Sequence, residues 1–311
     1  MRVSTYSFSG NFINQLNQLA QQQNQLQMQA SSGQKVTLPE DNPGVMGEVL
    51  NQQTEMRADS QYQTNINAVQ QTATASANVI NSLKTISDRA NEIATQVDGL
   101  TSPDQYAALT TEVNSLLQQA VQVANTQNQG SYLLGGTATS QPPYVATTDS
   151  SGNVTAVTYQ GNTQVAQSEI AQGVTVTGQT LGTNTTGSGP AGLITDSRSG
   201  ADFLNHLIAL RNDLQSQNQS AIKGADAANL QKDDNNILTQ ISANGAVQSR
   251  LQAAGTLAAK QGTSLNSQIS NEANADLAQT LTQLSQAQNA YQAALVSGTK
   301  IMGLSILDYI R

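Results

Sequence analysis

The sequence contains no cysteine and no tryptophan, and a single histidine stands among its 311 residues. The absence of cysteine excludes disulfides, thiolate nucleophiles and cysteine-ligated zinc or iron–sulfur clusters. His206 is not part of a His-Glu-x-x-His motif, which excludes that class of zinc peptidase, and it is read as a helix-surface or bundle-edge residue. Asp233 and Asp234 are adjacent, so on a helix they point about 100° apart and do not form one site. We therefore predict that the protein is not an enzyme and has no catalytic, cofactor-binding or metal-binding residues.

Charge is also scarce, since only 11% of the residues are charged and the formal net charge is -8. The 13 basic residues are scattered, whereas nucleic acids and anionic membranes attract clustered Lys and Arg. No stretch approaches the roughly 20 apolar residues that span a bilayer. The first residues lack the apolar core of a cleavable signal peptide. We predict no nucleic-acid partner, no membrane insertion and no ordinary cleavable signal.

What the sequence does contain is two charge-free ends with helical periodicity. No charged residue lies between Arg2 and Lys35, or between Asp276 and Lys300. Within both segments apolar residues recur at steps of four and three, which predicts amphipathic helices. An exposed pair of charge-free helices is poorly soluble alone, while Gln, Asn, Ser and Thr are less costly to bury than charges. We predict that these helices pair with each other and with other copies through an assembly interface of Phe12, Leu16, Leu19, Leu26, Leu277, Leu281, Leu284, Tyr291, Leu295 and Met302.

The inner part of the chain predicts further helices. Asn42-Pro43 is a helix start that leads into a heptad pattern up to about residue 98. Ser102-Pro103 starts a second helix that is predicted to end near Gln129-Gly130. The helical pattern returns after Asp196, where Ser199 and Asp202 suggest a capping box.

Between the helical segments, residues 131–195 change character. Val154–Tyr159 and Val174–Val176 read as strands, and Gly- and Pro-containing turns separate them. The predicted fold is mainly α with a small β-rich insert, arranged as an elongated nested helical hairpin with the β domain at its tip. The predicted domains are a terminal coiled-coil assembly domain (1–40 plus 272–311), a helical bundle (41–130 plus 196–271) and a β-rich outer domain (131–195).

Ten short segments at both ends and in the middle of the sequence, taken in their order along the chain, form a recognisable set. The segments are 1–5, 31–36, 39–43, 130–136, 142–144, 159–162, 170–174, 291–295, 300–302 and 305–310. Together they resemble the flagellin superfamily, and within it the family of hook-associated proteins at the hook–filament junction. The resemblance implies a flagellin-like fold.

The same resemblance implies a function and a set of partners. It implies a structural adapter that forms a ring through its terminal helices and joins hook-associated protein 1 to the flagellin filament. It also implies an export chaperone at the C-terminal helix, type III export without a cleavable signal peptide, and an extracellular location in the bacterial flagellum. Three alternatives stay open: flagellin itself, an enzyme or ligand-binding module in the insert, and an unrelated secreted coiled-coil effector.

Overall fold

The computed structural model describes residues 4–36 and 42–309, with side-chain positions for 10–36 and 42–300. Long helices dominate the described chain, and short strands fill the segment between α3 and α4. The helices are α1 (Ser4–Ser32), α2 (Pro43–Gln96), α3 (Pro103–Ala124), α4 (Phe203–Gln215), α5 (Gln219–Ala221), a π turn (Ile222–Asp226), α6 (Ala227–Ala273) and α7 (Leu277–Tyr309). The predicted class, mainly α with a small β-rich insert, is confirmed.

Local signals explain where most of these helices begin and end. Gly33 adopts a positive φ of 69° immediately after α1, a conformation that glycine tolerates at a helix end. The side chain of Asn42 accepts a hydrogen bond from the Val45 amide at the start of α2. At the start of α3, Ser102 and Gln105 form a reciprocal capping box with Pro103 at the first helical position. The starts of α2 and α3 agree with the sequence-based expectations.

Two predicted boundaries differ from the structure. Helix α3 ends at Ala124 rather than near Gly130, because residues 127–132 form a small antiparallel hairpin. Its turn consists of Gln129 and Gly130, both with positive φ. The predicted capping box at α4 is wrong, since Asp202 makes no side-chain capping bond there. The hydroxyl of Ser199 instead donates to the Asp196 carbonyl and to the Asn236 side chain.

The strands form several small sheets. Antiparallel pairs join β1 to β2, β3 to β4 and β5 to β6, whereas β7, β8 and β9 form one mixed sheet. The strands are β1 (Gln127–Asn128), β2 (Ser131–Tyr132), β3 (Tyr144–Thr148), β4 (Val154–Tyr159), β5 (Ser168–Ala171), β6 (Val174–Val176), β7 (Leu181–Asn184), β8 (Gly192–Asp196) and β9 (Ala201–Asp202). The predicted strands Val154–Tyr159 and Val174–Val176 are confirmed as β4 and β6.

The chain divides into two compact units. Unit 1 comprises residues 1–59 and 260–311, and unit 2 comprises residues 60–259. Both of the hydrophobic clusters formed by buried residues lie in unit 2. The larger cluster joins α2, α3 and α4 to the strands through side chains such as Leu83, Leu117 and Leu207. No described residue of unit 1 belongs to either cluster, so unit 1 lacks a core of comparable size within its described part.

The smaller cluster of unit 2 attaches the β5–β6 hairpin to the helices. Ile170 and Val176 of the hairpin pack with Ile66 and Val69 of α2 and with Leu251 of α6. Burial of such aliphatic side chains stabilises the fold by roughly 1.5–3 kcal/mol for each side chain that becomes fully buried. The strand-rich insert is therefore held to the helices by apolar packing.

Candidate assembly interface

In unit 1, α1 and α7 pack against each other as an antiparallel pair. At one end, the Ala275 amide just before α7 donates to the Gly33 carbonyl just after α1, at 2.9 Å. The Lys35 amide also donates to the Ala273 carbonyl at 2.6 Å. Near the other end, Phe12 of α1 contacts Gly298 of α7. The start of one helix therefore lies beside the end of the other.

The inward faces of both helices follow heptad spacing. On α1 the inward residues are Phe12, Leu16, Leu19 and Leu26, which were predicted from the sequence, together with Gln23 and Ala30. On α7 the buried and half-buried residues are Thr280, Leu284, Ala287, Tyr291, Ala294 and Gly298. Steps of four and three place each set on one side of its helix, which is the geometry of a coiled-coil seam.

The Phe12–Gly298 contact sets the closest approach of the pair. A Cβ added to Gly298 would overlap the aromatic ring of Phe12. Because glycine has no Cβ, the ring packs directly against the α7 backbone at this level. Only glycine leaves this space free, so the contact favours one alignment of the two helices along their length.

A second apolar surface of the pair faces away from this seam. We call it the outer apolar surface, and it consists of side chains that are 40–56% exposed. Its members are Ile13 and Met28 on α1 and Leu277, Leu281, Leu295 and Val296 on α7. On α7, Leu277, Leu281 and Leu295 lie about 60–100° around the helix from the seam. Apolar side chains therefore cover far more of α7 than its contact with α1 requires.

The electrostatic character of the pair is neutral over almost its whole length. Between Arg2 and Lys35, and between Asp276 and Lys300, the side chains that accompany the apolar residues are uncharged. Asp276 stands at the α7 N-terminus, where its carboxylate accepts hydrogen bonds from the amides of Ala278 and Gln279. A negative charge at that end is stabilised by the helix dipole. A partner surface could cover the rest of both helices without burying an unpaired charge.

The structure places the ten predicted interface residues in three environments. Phe12, Leu16, Leu19, Leu26, Leu284 and Tyr291 lie on the inward faces of α1 and α7, where they are buried or half-buried. Leu277, Leu281 and Leu295 are exposed on the outer apolar surface. The side chain of Met302 lies outside the described part of the molecule. The role of all ten in assembly stays a prediction.

Sequence reasoning missed Ile13, Met28 and Val296 as members of the outer apolar surface. A search for a single heptad seam counts only the apolar residues on that seam, so apolar residues on other faces of the helix are overlooked. A second apolar stripe beside the first would have been visible as an apolar arc wider than the contact between two helices requires. The charge-free composition around these three residues was the available signal.

In unit 2, the single histidine and the acidic residue beside it form a structural contact. His206 Nδ1 lies 2.7 Å from the buried Asp233 carboxylate, which also accepts the Asp202 amide at 2.8 Å. Burial raises the pKa of Asp233, and the hydrogen bond to His206 opposes that rise. Among the described residues, no group of three or more His, Asp or Glu is placed to hold a metal ion. None of the described helices is long and apolar enough to cross a membrane.

Comparison of the N-terminal part of the sequence with known families gives one match. Residues 3–139 match the family described as the bacterial flagellin N-terminal helical region. None of the curated proteins compared with the chain matches its sequence significantly. The predicted resemblance to the flagellin superfamily is therefore confirmed for the N-terminal part of the chain, which carries a flagellin-type helical region.

Solved structures share the fold more widely. A putative flagellar hook-associated protein from Vibrio parahaemolyticus superimposes with a TM-score of 0.63 at 21% identity, over 75% of this chain and 100% of its own. Bacillus cereus FlgL gives a TM-score of 0.55 at 18% identity, over 71% and 99% of the two chains. Xanthomonas campestris FlgL gives 0.56 at 17% identity, over 70% and 99%. The chain thus has the fold of these flagellar proteins.

Proposed function

We propose that this protein is the structural adapter at the junction between the flagellar hook and filament. In this role it joins hook-associated protein 1 to flagellin and forms a ring through its terminal helices. The observation that carries the proposal is the outer apolar surface of the α1–α7 pair, where Leu281 is 53% exposed and Val296 is 56% exposed. The solved proteins that share the fold include a flagellar hook-associated protein and two FlgL proteins.

The physical argument starts from the cost of leaving this surface in water. Six large apolar side chains are at least 40% exposed on two helices, and an exposed apolar surface larger than scattered single residues typically marks an interaction site. Each such side chain gains roughly 1.5–3 kcal/mol when it is fully buried. Because the same helices carry almost no charge, neighbouring subunits can bury them without a large desolvation penalty. Adapter function then consists of long interfaces that distribute mechanical load, with no bond-making chemistry.

The proposal includes the route by which the protein reaches the cell exterior. The α7 segment binds an export chaperone before assembly, which covers Leu281 and Leu295 until the subunit is incorporated. Export then proceeds through the flagellar type III apparatus without a cleavable signal peptide. The exposure of these leucines in the isolated chain supports a need for such cover.

The second candidate function is that of flagellin, the filament subunit. It is favoured by the match of residues 3–139 to the flagellin N-terminal helical region. Abundance separates the two roles, because a filament subunit dominates sheared flagella whereas a junction subunit is a minor component. Quantitative mass spectrometry of sheared flagella provides this measurement.

Deletion of the gene, scored by electron microscopy, tests the adapter role. We expect hooks without filaments and flagellin shed into the medium, because the filament has no base on which to assemble. Unchanged flagella would contradict the junction role. Complete loss of the main filament protein, with no flagellin in the medium, would instead favour the filament-subunit role. Complementation with the wild-type gene is the control.

A further inference from the structure

Helix α4 faces the π turn and the first part of α6 through ionisable side chains at two levels. At the first level, His206 Nδ1 lies 2.7 Å from Asp233 Oδ2. One heptad further along α4 is Asp213, and one heptad back from Asp233 is Asp226. Equal steps in opposite directions along two antiparallel helices reach the same level. Asp213 therefore faces Asp226 at the second level, one heptad away from the level at which His206 faces Asp233.

Asp226 is buried in an unusual piece of backbone. It is the last residue of the π turn Ile222–Asp226, and only 3% of its surface is exposed. No described group donates a hydrogen bond to its Oδ2 atom. A buried carboxylate without donors is costly, whereas a protonated carboxyl can donate its own hydrogen to a facing carboxylate. The geometry thus favours the neutral form of Asp226.

The surroundings supply the acceptor but no cation at bonding distance. Asp213 is half-buried, and its carboxylate accepts a hydrogen bond from the Asn218 side chain at 3.2 Å. On α4, His206 is hydrogen-bonded to Asp233, and the guanidinium of Arg211 donates to the Val154 carbonyl. Lys223, within the π turn, directs its ammonium to the Thr95 carbonyl of α2. Asp226 and Asp213 are therefore left to satisfy each other.

We propose that Asp226 holds a proton in the folded protein and shares it with Asp213. The π turn between α5 and α6 is then closed while this proton is present and opens more readily when it is lost. Burial and the neighbouring Asp213 raise the pKa of Asp226 to about 6, while His206 acts in the opposite direction. When the proton is lost, two carboxylates face each other at a buried site. Their repulsion favours opening of the turn.

The direction of the pH effect follows from the two pKa values. An aspartate in an unfolded chain titrates near its ordinary value of about 3.9, whereas Asp226 in the folded protein titrates at about 6. Between these values the unfolded state releases the proton first. The contribution of Asp226 to stability therefore falls as the pH rises from about 4 to about 6, and stays constant above that.

The test is thermal unfolding of the full chain from pH 4.5 to 7.5, with Asp226→Asn compared to the wild type. The amide of Asn donates to Asp213 at every pH and carries no charge. We expect the variant to unfold roughly 3–6 °C higher than the wild type at pH 7.5, with little or no gain at pH 4.5. The hydrogen bond between His206 and Asp233 is present in both proteins.

Glu55→Gln is the matched control, because it makes the same change in charge at an exposed position. A control that reproduces the pH-dependent difference, or an Asp226→Asn profile parallel to the wild type, would overturn the proposal. If Asp226→Asn does not fold, carbon-13 NMR of the wild-type Asp226 carboxyl decides. A titration midpoint near 6 supports the shared proton, whereas a midpoint near 4 refutes it.

Discussion

The aromatic ring of Phe12 lies against the backbone of Gly298, in the space that the Cβ of any other residue would occupy. This contact joins the beginning of α1 to the later part of α7. At the opposite end of the pair, Gly33 and Ala275 are joined by a backbone hydrogen bond. The two contacts together fix how the terminal helices align along their length.

Substitution of Gly298 by alanine tests the role of this contact. The new methyl group overlaps the Phe12 ring, so either the ring or α7 must move, at a cost of about 1–3 kcal/mol. We expect faster proteolysis of α1 and α7 and a lower helical content of unit 1 by circular dichroism. Gly10→Ala is the control, because nothing lies within 4 Å of its added Cβ. Equal effects of the two substitutions would show that the contact has no special role.

Leu281→Asp tests the outer apolar surface without touching the helix pair. Because Leu281 is 53% exposed in the single chain, the substitution should leave the helical content and the unfolding temperature nearly unchanged. We expect it to impair assembly strongly, since a charge would be buried in the subunit interface. Complementation of a deletion strain, scored by filament number, measures assembly.

Gln286→Glu is the control for Leu281→Asp, because it adds the same charge to an exposed position of α7 about 140° around the helix from Leu281 and about 80° from Val296. We expect it to impair assembly less than Leu281→Asp. Comparable loss of filaments in both variants would mean that charge on α7, rather than the outer apolar surface, is what assembly cannot tolerate.

Leu16→Asp is expected to impair assembly by a different route. Leu16 is half-buried on the face of α1 that contacts α7, so a carboxylate there separates the two helices before any neighbouring subunit is involved. We expect lower helical content in the isolated protein as well as fewer filaments. A variant with native helical content and normal filaments would contradict the importance of the seam.

Deletion of residues 277–311 separates assembly from folding. Both hydrophobic clusters lie in unit 2, so the truncated protein should keep a cooperative thermal transition for that unit. Assembly should be abolished, because α7 and its part of the outer apolar surface are lost. Incorporation of the truncated protein into flagella at a normal level would disprove this division of roles.

Ser102→Ala tests the start of α3. The Ser102 side chain accepts the Gln105 amide at 3.3 Å, and the Gln105 side chain accepts the Ser102 amide at 2.7 Å. Loss of such a cap destabilises a protein by about 1 kcal/mol, which corresponds to a fall of roughly 2–4 °C in Tm for a unit of this size. Ser115→Ala, in the exposed middle of α3, is the control and should have little effect.

Local rules explain which parts of the fold were predictable. The starts of α2 and α3 at Asn42-Pro43 and Ser102-Pro103, and strands β4 and β6, depend on side chains within a few residues of one another. Ser199 shows where local reasoning fails. The sequence pattern suggested a cap, but the Ser199 oxygen accepts the Ala201 amide, and the Ser199 hydroxyl donates to Asn236, 37 residues away. Helix α4 begins only at Phe203, so Ser199 is not placed to cap it.

The sequence by itself determined that α1 and α7 are charge-free amphipathic helices, because periodicity and composition are properties of the chain alone. It did not determine which face of α7 turns toward α1. Leu277, Leu281 and Leu295 fit a heptad as well as Thr280, Ala287 and Ala294 do, since apolar residues cover an arc wider than one seam. The tertiary structure chose the second set, which brings Gly298 under the Phe12 ring. The close approach at Gly298 turns that face of α7 toward α1, and Leu277, Leu281 and Leu295, about 60–100° away around the helix, stay exposed.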